Sequence, residues 1–155
     1  MMLALTLSLL MQVGPREAIG VFGSWGAFRD PSPLRCYAIS QPVEKYRTAR
    51  PFASVATWPS QGIRNQVHIR LSRQKAANAR VTLSIGERRF ELKAGSMDAW
   101  APDRRTDQAV IAAIRDGRSM SVESVGANGA PFADSYALRG AATAIDTAAA
   151  RCAGR

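Results

Sequence analysis

Apolar positions along this chain recur mainly with a period of two, which is typical of β-strands. Residues 64–71 show the clearest case, because Val67, Ile69 and Leu71 alternate with polar residues. Turn residues separate such runs, and Gly86-Glu87 has the form of a two-residue hairpin between two of them. The pattern predicts strands at residues 22–28, 35–40, 52–58, 64–71, 81–85, 88–92, 119–125 and 132–138.

A helical period appears at two places in the C-terminal half. Thr106 or Asp107 begins the first predicted helix and Gly117 ends it, while the second runs from about Ala141 to Cys152. Strand and hairpin signals dominate the rest, and no β-α-β alternation is present. The predicted fold is therefore mainly β, a single-domain antiparallel β-sandwich with two short helices in the C-terminal half.

The N-terminus carries an apolar stretch from Leu3 to Met11. Its length is typical of the apolar part of a secretory signal, and it is shorter than the roughly 18 residues of a membrane span. No Lys or Arg precedes it, and an N-terminal core strand or helix is the alternative interpretation. We expect residues 1–18 to be a signal peptide, and residues 19–155 to form the mature domain without a transmembrane segment.

The two cysteines lie far apart in the sequence. Cys36 falls in a strand-like run, and Cys152 lies on the apolar side of the second helix together with Ile145 and Ala148. Two buried free thiols would satisfy this pattern, because cysteine is among the most buried residue types. The apolar N-terminus favours the other interpretation, a Cys36–Cys152 disulfide formed in an oxidising compartment.

Several short motifs occur in an order that resembles the invasion associated locus B family. They are Trp25-Gly26-Ala27-Phe28-x-Asp30, Arg35-Cys36-Tyr37, Ser84-Ile85-Gly86 with Phe90, Ala99-Trp100, Ile111-x-x-Ile114-x-x-Gly117-x-x-Met120-x-Val122, and Asp134-x-Tyr136-x-Leu138-x-Gly140 ahead of Cys152. One departure is Ile114, where the family pattern has methionine. The resemblance implies a small exported proteobacterial protein, periplasmic or secreted, with a β-sandwich fold and no established catalytic residues.

The chain is basic, with a formal net charge of +9 from 21 Lys+Arg and 12 Asp+Glu. Residues 64–93 hold eight of the basic residues and only two acidic ones, Glu87 and Glu91. Strand alternation predicts that several of these arginines share a polar sheet face that attracts polyanions. The candidate polyanion-binding residues are Arg64, Arg70, Arg80, Arg88 and Arg89. The alternative is a solvated basic face that serves only solubility.

The partner predicted for this face is an anionic component of the cell envelope or of a host surface, or a partner protein. Nucleic acid is disfavoured because stacking aromatics do not alternate with these arginines, Phe90 being on the apolar side. The oligomeric state is left open. Trp25, Trp58 and Trp100 are expected to anchor the core or its rim, with a carbohydrate or peptide groove as the alternative.

No motif for catalysis, a cofactor or a metal is present. One histidine and two cysteines are too few for a Cys/His zinc site, and no nucleotide-binding loop or nucleophile elbow occurs. His68 is expected to be an ordinary exposed residue, and Asp134 to be a hydrogen-bonded strand residue near Tyr136. We therefore predict a non-enzymatic protein without cofactors. The alternatives are an envelope hydrolase with an unidentified carboxylate site and an accessory structural subunit.

Overall fold

The computed structural model describes residues 14–153 of the chain. Within them the strands are β1 Glu17–Phe22, β2 Trp25–Pro31, β3 Leu34–Ser40, β4 Phe52–Trp58, β5 Ile63–Arg70, β6 Val81–Ile85, β7 Arg88–Ala94, β8 Asp98–Trp100, β9 Ser119–Val125 and β10 Pro131–Ala137. Helix α1, Arg104–Asp116, lies between β8 and β9, and helix α2, Ala141–Cys152, follows β10.

Most of the predicted signal peptide, residues 1–13, lies outside the described residues, as do residues 154–155 of the predicted domain. The boundary at residue 18 therefore stays a prediction. It falls inside β1, where Glu17 pairs with Arg29 and Ala18 pairs with Phe28.

The strands form one antiparallel sheet in the order β1-β2-β3-β4-β5-β8-β7-β6-β9-β10. The sheet bends so that the hairpin β1–β2 at one end meets β10 at the other. Two hydrogen bonds join these ends: the Ser24 N–H donates to the Arg139 carbonyl, and Trp25 Nε1 donates to the Ala137 carbonyl. The buried side chains of the strands and of both helices form a single core. The prediction of a mainly β fold with two helices in the C-terminal half is confirmed.

Helix α2 packs across the inner face of β1 to β4, and a disulfide joins it to β3. Cys36 and Cys152 form this bond, with both residues buried, so the predicted pairing is confirmed and neither thiol is free. Ala141, Ala144 and Ala148 face the sheet from the helix and are 0–1% exposed. Their small side chains allow the helix to pack closely against the strands.

The strands differ from the predicted pattern at two places. Residues 22–28 were predicted as one strand, whereas the chain turns at Gly23-Ser24 to form the β1–β2 hairpin. Gly23 has φ of +55°, and a Cβ there would lie 2.3 Å from the Arg139 carbonyl oxygen, so glycine is required. Strand β8, only three residues long, was not predicted because a run this short has no measurable period.

Helix α1 begins earlier than predicted. Its first residue is Arg104 and its N-cap is Asp103, whose side chain accepts a hydrogen bond from the Thr106 N–H. The end at Gly117 and the whole of α2, Ala141–Cys152, agree with the prediction. Among residues 14–153 no helix has both the length and the apolar character needed to cross a membrane.

Candidate functional site

Three of the five predicted polyanion-binding arginines form ion pairs with carboxylates of the described residues. Arg70 forms an ion pair with Asp98, Arg80 with Glu91, and Arg89 with Glu123, at N–O distances of 2.6, 3.5 and 4.0 Å. Arg88 lies over the ring of Phe90, 4.9 Å from its centroid. Neighbouring carboxylates therefore offset much of this charge. Whether these residues bind a polyanion stays a prediction.

Arg64 is separated from the others by a β-bulge. Trp58 pairs with Ile63 while Ala56 pairs with Gln66, so β5 has one more residue than β4 between these pairs. Asn65 takes up the extra length with φ of +52°, and its N–H donates to Thr57 Oγ1. A bulge changes the direction of the side chains around it. Arg64 accordingly does not continue the alternation that His68 and Arg70 follow.

Arg64 instead lines a cleft of about 230 Å³ against helix α1. We call it the Arg64 cleft, and it is lined by Arg64, Asn65, Arg104, Gln108, Ile111, Ala112 and Arg115. The helical residues follow a spacing of three or four, so they form one stripe of α1. All of the polar side chains in this lining bear N–H donors, and none is a carboxylate.

Neighbouring carboxylates offset only part of the positive charge in the Arg64 cleft. Arg115 forms a two-point ion pair with Asp146 of α2, at 2.9 and 2.6 Å, and this hydrogen bonding lowers the pKa of Asp146. Arg64 and Arg104 have no ion pair with any described residue. Arg104 is also the first residue of α1, where the helix dipole disfavours a cation. A bound anion would offset both unfavourable features.

A second cleft, of about 250 Å³, lies on the other side of Arg64 and Arg104 and contains two carboxylates. Asp107 is 8% exposed and accepts the Val67 N–H at 2.8 Å. Burial raises the pKa of Asp107 to about 6, whereas the Thr106 N–H lowers the pKa of Asp103. Both carboxylates are already bonded to backbone N–H groups, which is a structural role.

His68 lies in an aromatic and acidic cluster on the outer face of the sheet. Its ring stacks on Trp100, with centroids 5.1 Å apart, and meets the edge of Phe52. His68 Nε2 lies 2.8 Å from Asp98 Oδ1, while Arg70 donates to Asp98 Oδ2. The histidine is therefore half-buried and oriented by an acid, whereas the sequence predicts an ordinary exposed residue.

The three tryptophans have different surroundings. Trp25 is 1% exposed and belongs to the core, as expected, whereas Trp58 and Trp100 are half-buried. The Arg35 guanidinium lies 4.9 Å from the Trp58 ring, and Trp100 stacks on His68. They do not form a single groove.

Asp134 is more deeply placed than a simple strand residue. It is 0% exposed, and its two oxygens accept hydrogen bonds from the Tyr46 hydroxyl at 2.8 Å and from the Ser72 N–H at 2.9 Å. Burial, together with this bond, raises the pKa of Tyr46 to about 12, so the hydroxyl keeps its proton and donates. Burial also raises the pKa of Tyr136, whose hydroxyl has no partner among residues 14–153.

Among residues 14–153, no group of three or more His, Cys, Asp or Glu residues is placed to hold a metal ion. Comparison of the chain with protein-family models and with curated proteins gave no match.

Among solved structures, the chain is similar to the crystal structure of invasion associated protein B from Bartonella henselae. The TM-score is 0.63, and the similarity covers 85% of this chain and 96% of the other at 17% sequence identity. The chain has the fold of invasion associated protein B. The resemblance read from the sequence motifs is thus confirmed at the level of the fold, across nearly the whole of both chains.

Proposed function

We propose that this chain is an exported, non-enzymatic protein of the cell envelope, periplasmic or secreted, that binds an anionic envelope or host component. The observation that carries the binding proposal is the Arg64 cleft, which gathers three arginines and two side-chain amides without a carboxylate in its lining. Guanidinium groups bind carboxylates, phosphates and sulfates through paired hydrogen bonds.

Export is supported by the disulfide and by the fold. Disulfides persist in oxidising compartments and are rare in the cytosol. Cys36 and Cys152 are 3% exposed or less, so the bond is a buried part of the structure. The apolar residues 3–11 and the shared fold with invasion associated protein B point in the same direction.

Export is tested by recovering the protein from a periplasmic fraction and alkylating it in denaturant without reductant, so that a buried free thiol would react. We expect both cysteines to resist alkylation, and the intact mass to show that a leader has been removed. The expected new N-terminus lies near residue 19. Two alkylated thiols, or a mass that retains residues 1–18, would contradict the export proposal.

Binding is tested with heparin, a soluble polyanion. We expect the Arg64→Gln/Arg104→Gln double variant to elute from immobilised heparin at lower salt and to show a shallower dependence of affinity on salt. Arg50→Gln/Arg118→Gln is the matched control, since it removes the same charge at exposed arginines outside both the Arg64 cleft and the predicted polyanion-binding set. Equal losses in both double variants would indicate attraction to net charge alone, and unchanged binding by the first would overturn the proposal.

A hydrolase is the second candidate because Asp103 and Asp107 line one cleft with pKa values shifted in opposite directions. Such a separation is a feature of acid–base pairs. We favour a binding protein over a hydrolase because both carboxylates already have structural roles. Asp103 caps α1, and Asp107 accepts a backbone hydrogen bond from β5. Hydrolysis of an envelope glycan by the wild-type protein, abolished in Asp107→Asn, would favour the hydrolase instead.

A further inference from the structure

The end of the predicted signal peptide coincides with an irregularity in strand β1. Ala18 pairs with Phe28 of β2, and the next pair along the strands is Gly20 with Ala27. Ile19 is therefore the extra residue of a β-bulge, which interrupts the pairing of the two strands. Removal of the predicted signal peptide would take away the part of β1 before the bulge and leave the part after it in its present register.

The side chain of Arg16, just before β1, occupies a site for a cation on β2 and β3. Its Nε donates to Asp30 Oδ1 at 3.1 Å. Its guanidinium also lies over the stacked rings of Phe28 and Tyr37, 5.9 and 5.7 Å from their centroids. A carboxylate beside aromatic faces is an arrangement that binds a guanidinium or ammonium group. The chain itself therefore shows which kind of group this site accepts.

A second guanidinium at this site belongs to the sheet and would stay after processing. Arg35 of β3 donates to Asp30 Oδ2 at 2.7 Å and lies 4.1 Å from the centroid of the Tyr37 ring. Loss of Arg16 would leave Asp30 Oδ1 without its partner and uncover Tyr37, which is now 4% exposed. Because Arg35 offsets part of the Asp30 charge, a single cation would bind weakly here without further contacts.

Glu17 makes contacts of the opposite charge on the other side of the strand. Its carboxylate lies 3.7 Å from Arg29 Nη1 and accepts a hydrogen bond from Arg151 of α2. Arg29 pairs with the buried Cys36, so it lies on the face of the sheet opposite the Arg16 site. Among residues 19–153, neither Arg29 nor Arg151 has an ion pair. Processing would therefore leave a site for an anion next to the site for a cation.

Processing would also expose backbone groups of β2 between these two sites. β2 lies between β1 and β3 in the sheet, and its residues Phe28 and Arg29 would lose their β1 partners Ala18 and Glu17. Unpaired N–H and C=O groups at a sheet edge are a template for another extended chain. The uncovered edge thus combines backbone groups for strand pairing with side chains that recognise two opposite charges.

We infer that residues 28–31 of β2 in the processed protein bind an extended segment of a partner protein by strand addition. The segment carries a basic residue in the place of Arg16 and, directly after it, an acidic residue in the place of Glu17. Strand addition supplies affinity through the main chain, and the two charged sites supply specificity. The observation that carries the inference is that the chain's own residues 16–18 lie on this edge with that charge pattern. The inference rests on the removal of residues 1–18 in the proposed function and is independent of the Arg64 cleft.

The first measurement is the N-terminus of the disulfide-bonded protein recovered from the periplasm, read from its intact mass. We expect a cut that removes Arg16 and Glu17. A cut that leaves Arg16 in the protein would overturn the inference while export itself would stand. An uncut chain would count against export as well, so the two failures are distinguishable.

The second measurement is binding of the removed segment to the processed protein. The probe is a synthetic peptide of residues 12–18 with blocked ends, and the readout is the backbone amide NMR shifts of Phe28, Arg29 and Asp30. We expect a Kd on the order of 1 mM. The matched control is the same peptide with Arg16 and Glu17 exchanged, which keeps the composition and the net charge. Equal binding of both peptides, or no shift with the first, would overturn the inference.

Variants separate the two charged sites. We expect Arg16→Gln in the peptide to weaken binding about tenfold and Glu17→Gln to weaken it severalfold. In the protein, Asp30→Asn should weaken binding of the unchanged peptide, whereas Asp116→Asn, an exposed acid at the end of α1, should leave it unchanged. The peptide variants keep the test valid if Asp30→Asn fails to fold. Equal loss in Asp116→Asn would indicate attraction to net charge alone and would overturn the inference.

Discussion

Cys36 in β3 is bonded to Cys152, the last residue of α2, across a sequence separation of 116 residues, with Cα atoms 5.9 Å apart. The bond fixes the end of the alanine-rich helix to the inner face of the sheet. That helix offers little side-chain bulk for burial, since Ile145 is the only large aliphatic residue on its buried side. The covalent link therefore supplements a modest apolar contact.

Removal of the disulfide is expected to lower the free energy of unfolding by about 4–5 kcal/mol, because the unfolded chain regains the entropy of a long open loop. The measurement is urea unfolding of the oxidised protein, the reduced protein and the Cys36→Ala/Cys152→Ala variant. The variant should lose a similar amount and be insensitive to reductant. Equal midpoints for oxidised and reduced protein would show that the bond contributes nothing.

Loss of the Tyr46 hydroxyl is expected to destabilise the β3–β4 loop. In Tyr46→Phe, the buried Asp134 loses one of its two donors, which should cost roughly 2 kcal/mol of unfolding free energy. Hydrogen exchange at the Val43 amide, which bonds to Ser135 next to Asp134, should become faster.

Tyr136→Phe is the control for Tyr46→Phe. The Tyr136 hydroxyl is buried without a partner in the part of the chain that the structure describes, so its removal should be neutral or stabilising. If the two variants behave alike, the hydrogen bond to Asp134 is not what holds the loop.

The strands and helices could largely be predicted because their signals are local. The alternation of Val67, Ile69 and Leu71 reflects burial of one face, and all three are 3% exposed or less. The bounds of α2 follow from a run of helix-forming residues after Gly140. The start of α1 was misplaced because Asp103, Thr106 and Asp107 are all plausible caps, and only the hydrogen bond from Thr106 selects the first.

The candidate sites were beyond prediction because they depend on contacts distant in sequence. Asp98 orients His68 from 30 residues away, and Tyr46 reaches Asp134 across 88. The bulge at Asn65 removed Arg64 from the expected basic face and placed it against α1. A single inserted residue leaves almost no signature in the sequence, yet it reverses which way a neighbouring side chain points.

The contact of His68 with Asp98 predicts the tautomer of the histidine. The neutral imidazole should carry its proton on Nε2, which donates to Asp98 Oδ1 at 2.8 Å. The ¹⁵N shifts of the two ring nitrogens measure this directly at a pH where the ring is neutral. In Asp98→Ala the acceptor is lost, and both tautomers should appear. A wild-type proton on Nδ1 would be incompatible with the geometry described.

Asp107 predicts a dependence of stability on pH. Burial raises its pKa to about 6, whereas an aspartate in an unfolded chain has a pKa of about 3.9. The native state therefore holds a proton that the unfolded state releases between these values. The stabilising contribution of the neutral carboxyl is complete below about pH 4 and is lost as the pH rises through about 6. Above that pH, the ionised carboxylate lowers the stability of the fold.

Asp107→Asn should therefore be more stable than the wild type at about pH 7.5, by roughly 1–2 kcal/mol after allowance for solvent screening. The asparagine oxygen can still accept the Val67 N–H, so the contact with β5 survives. The difference should shrink towards zero near pH 4, as measured by urea unfolding across the pH range. Glu87→Gln, an exposed carboxyl in the β6–β7 turn, is the control and should stay within about 0.5 kcal/mol of the wild type. If the advantage of Asp107→Asn is the same at both pH values, ionisation of Asp107 is not its cause.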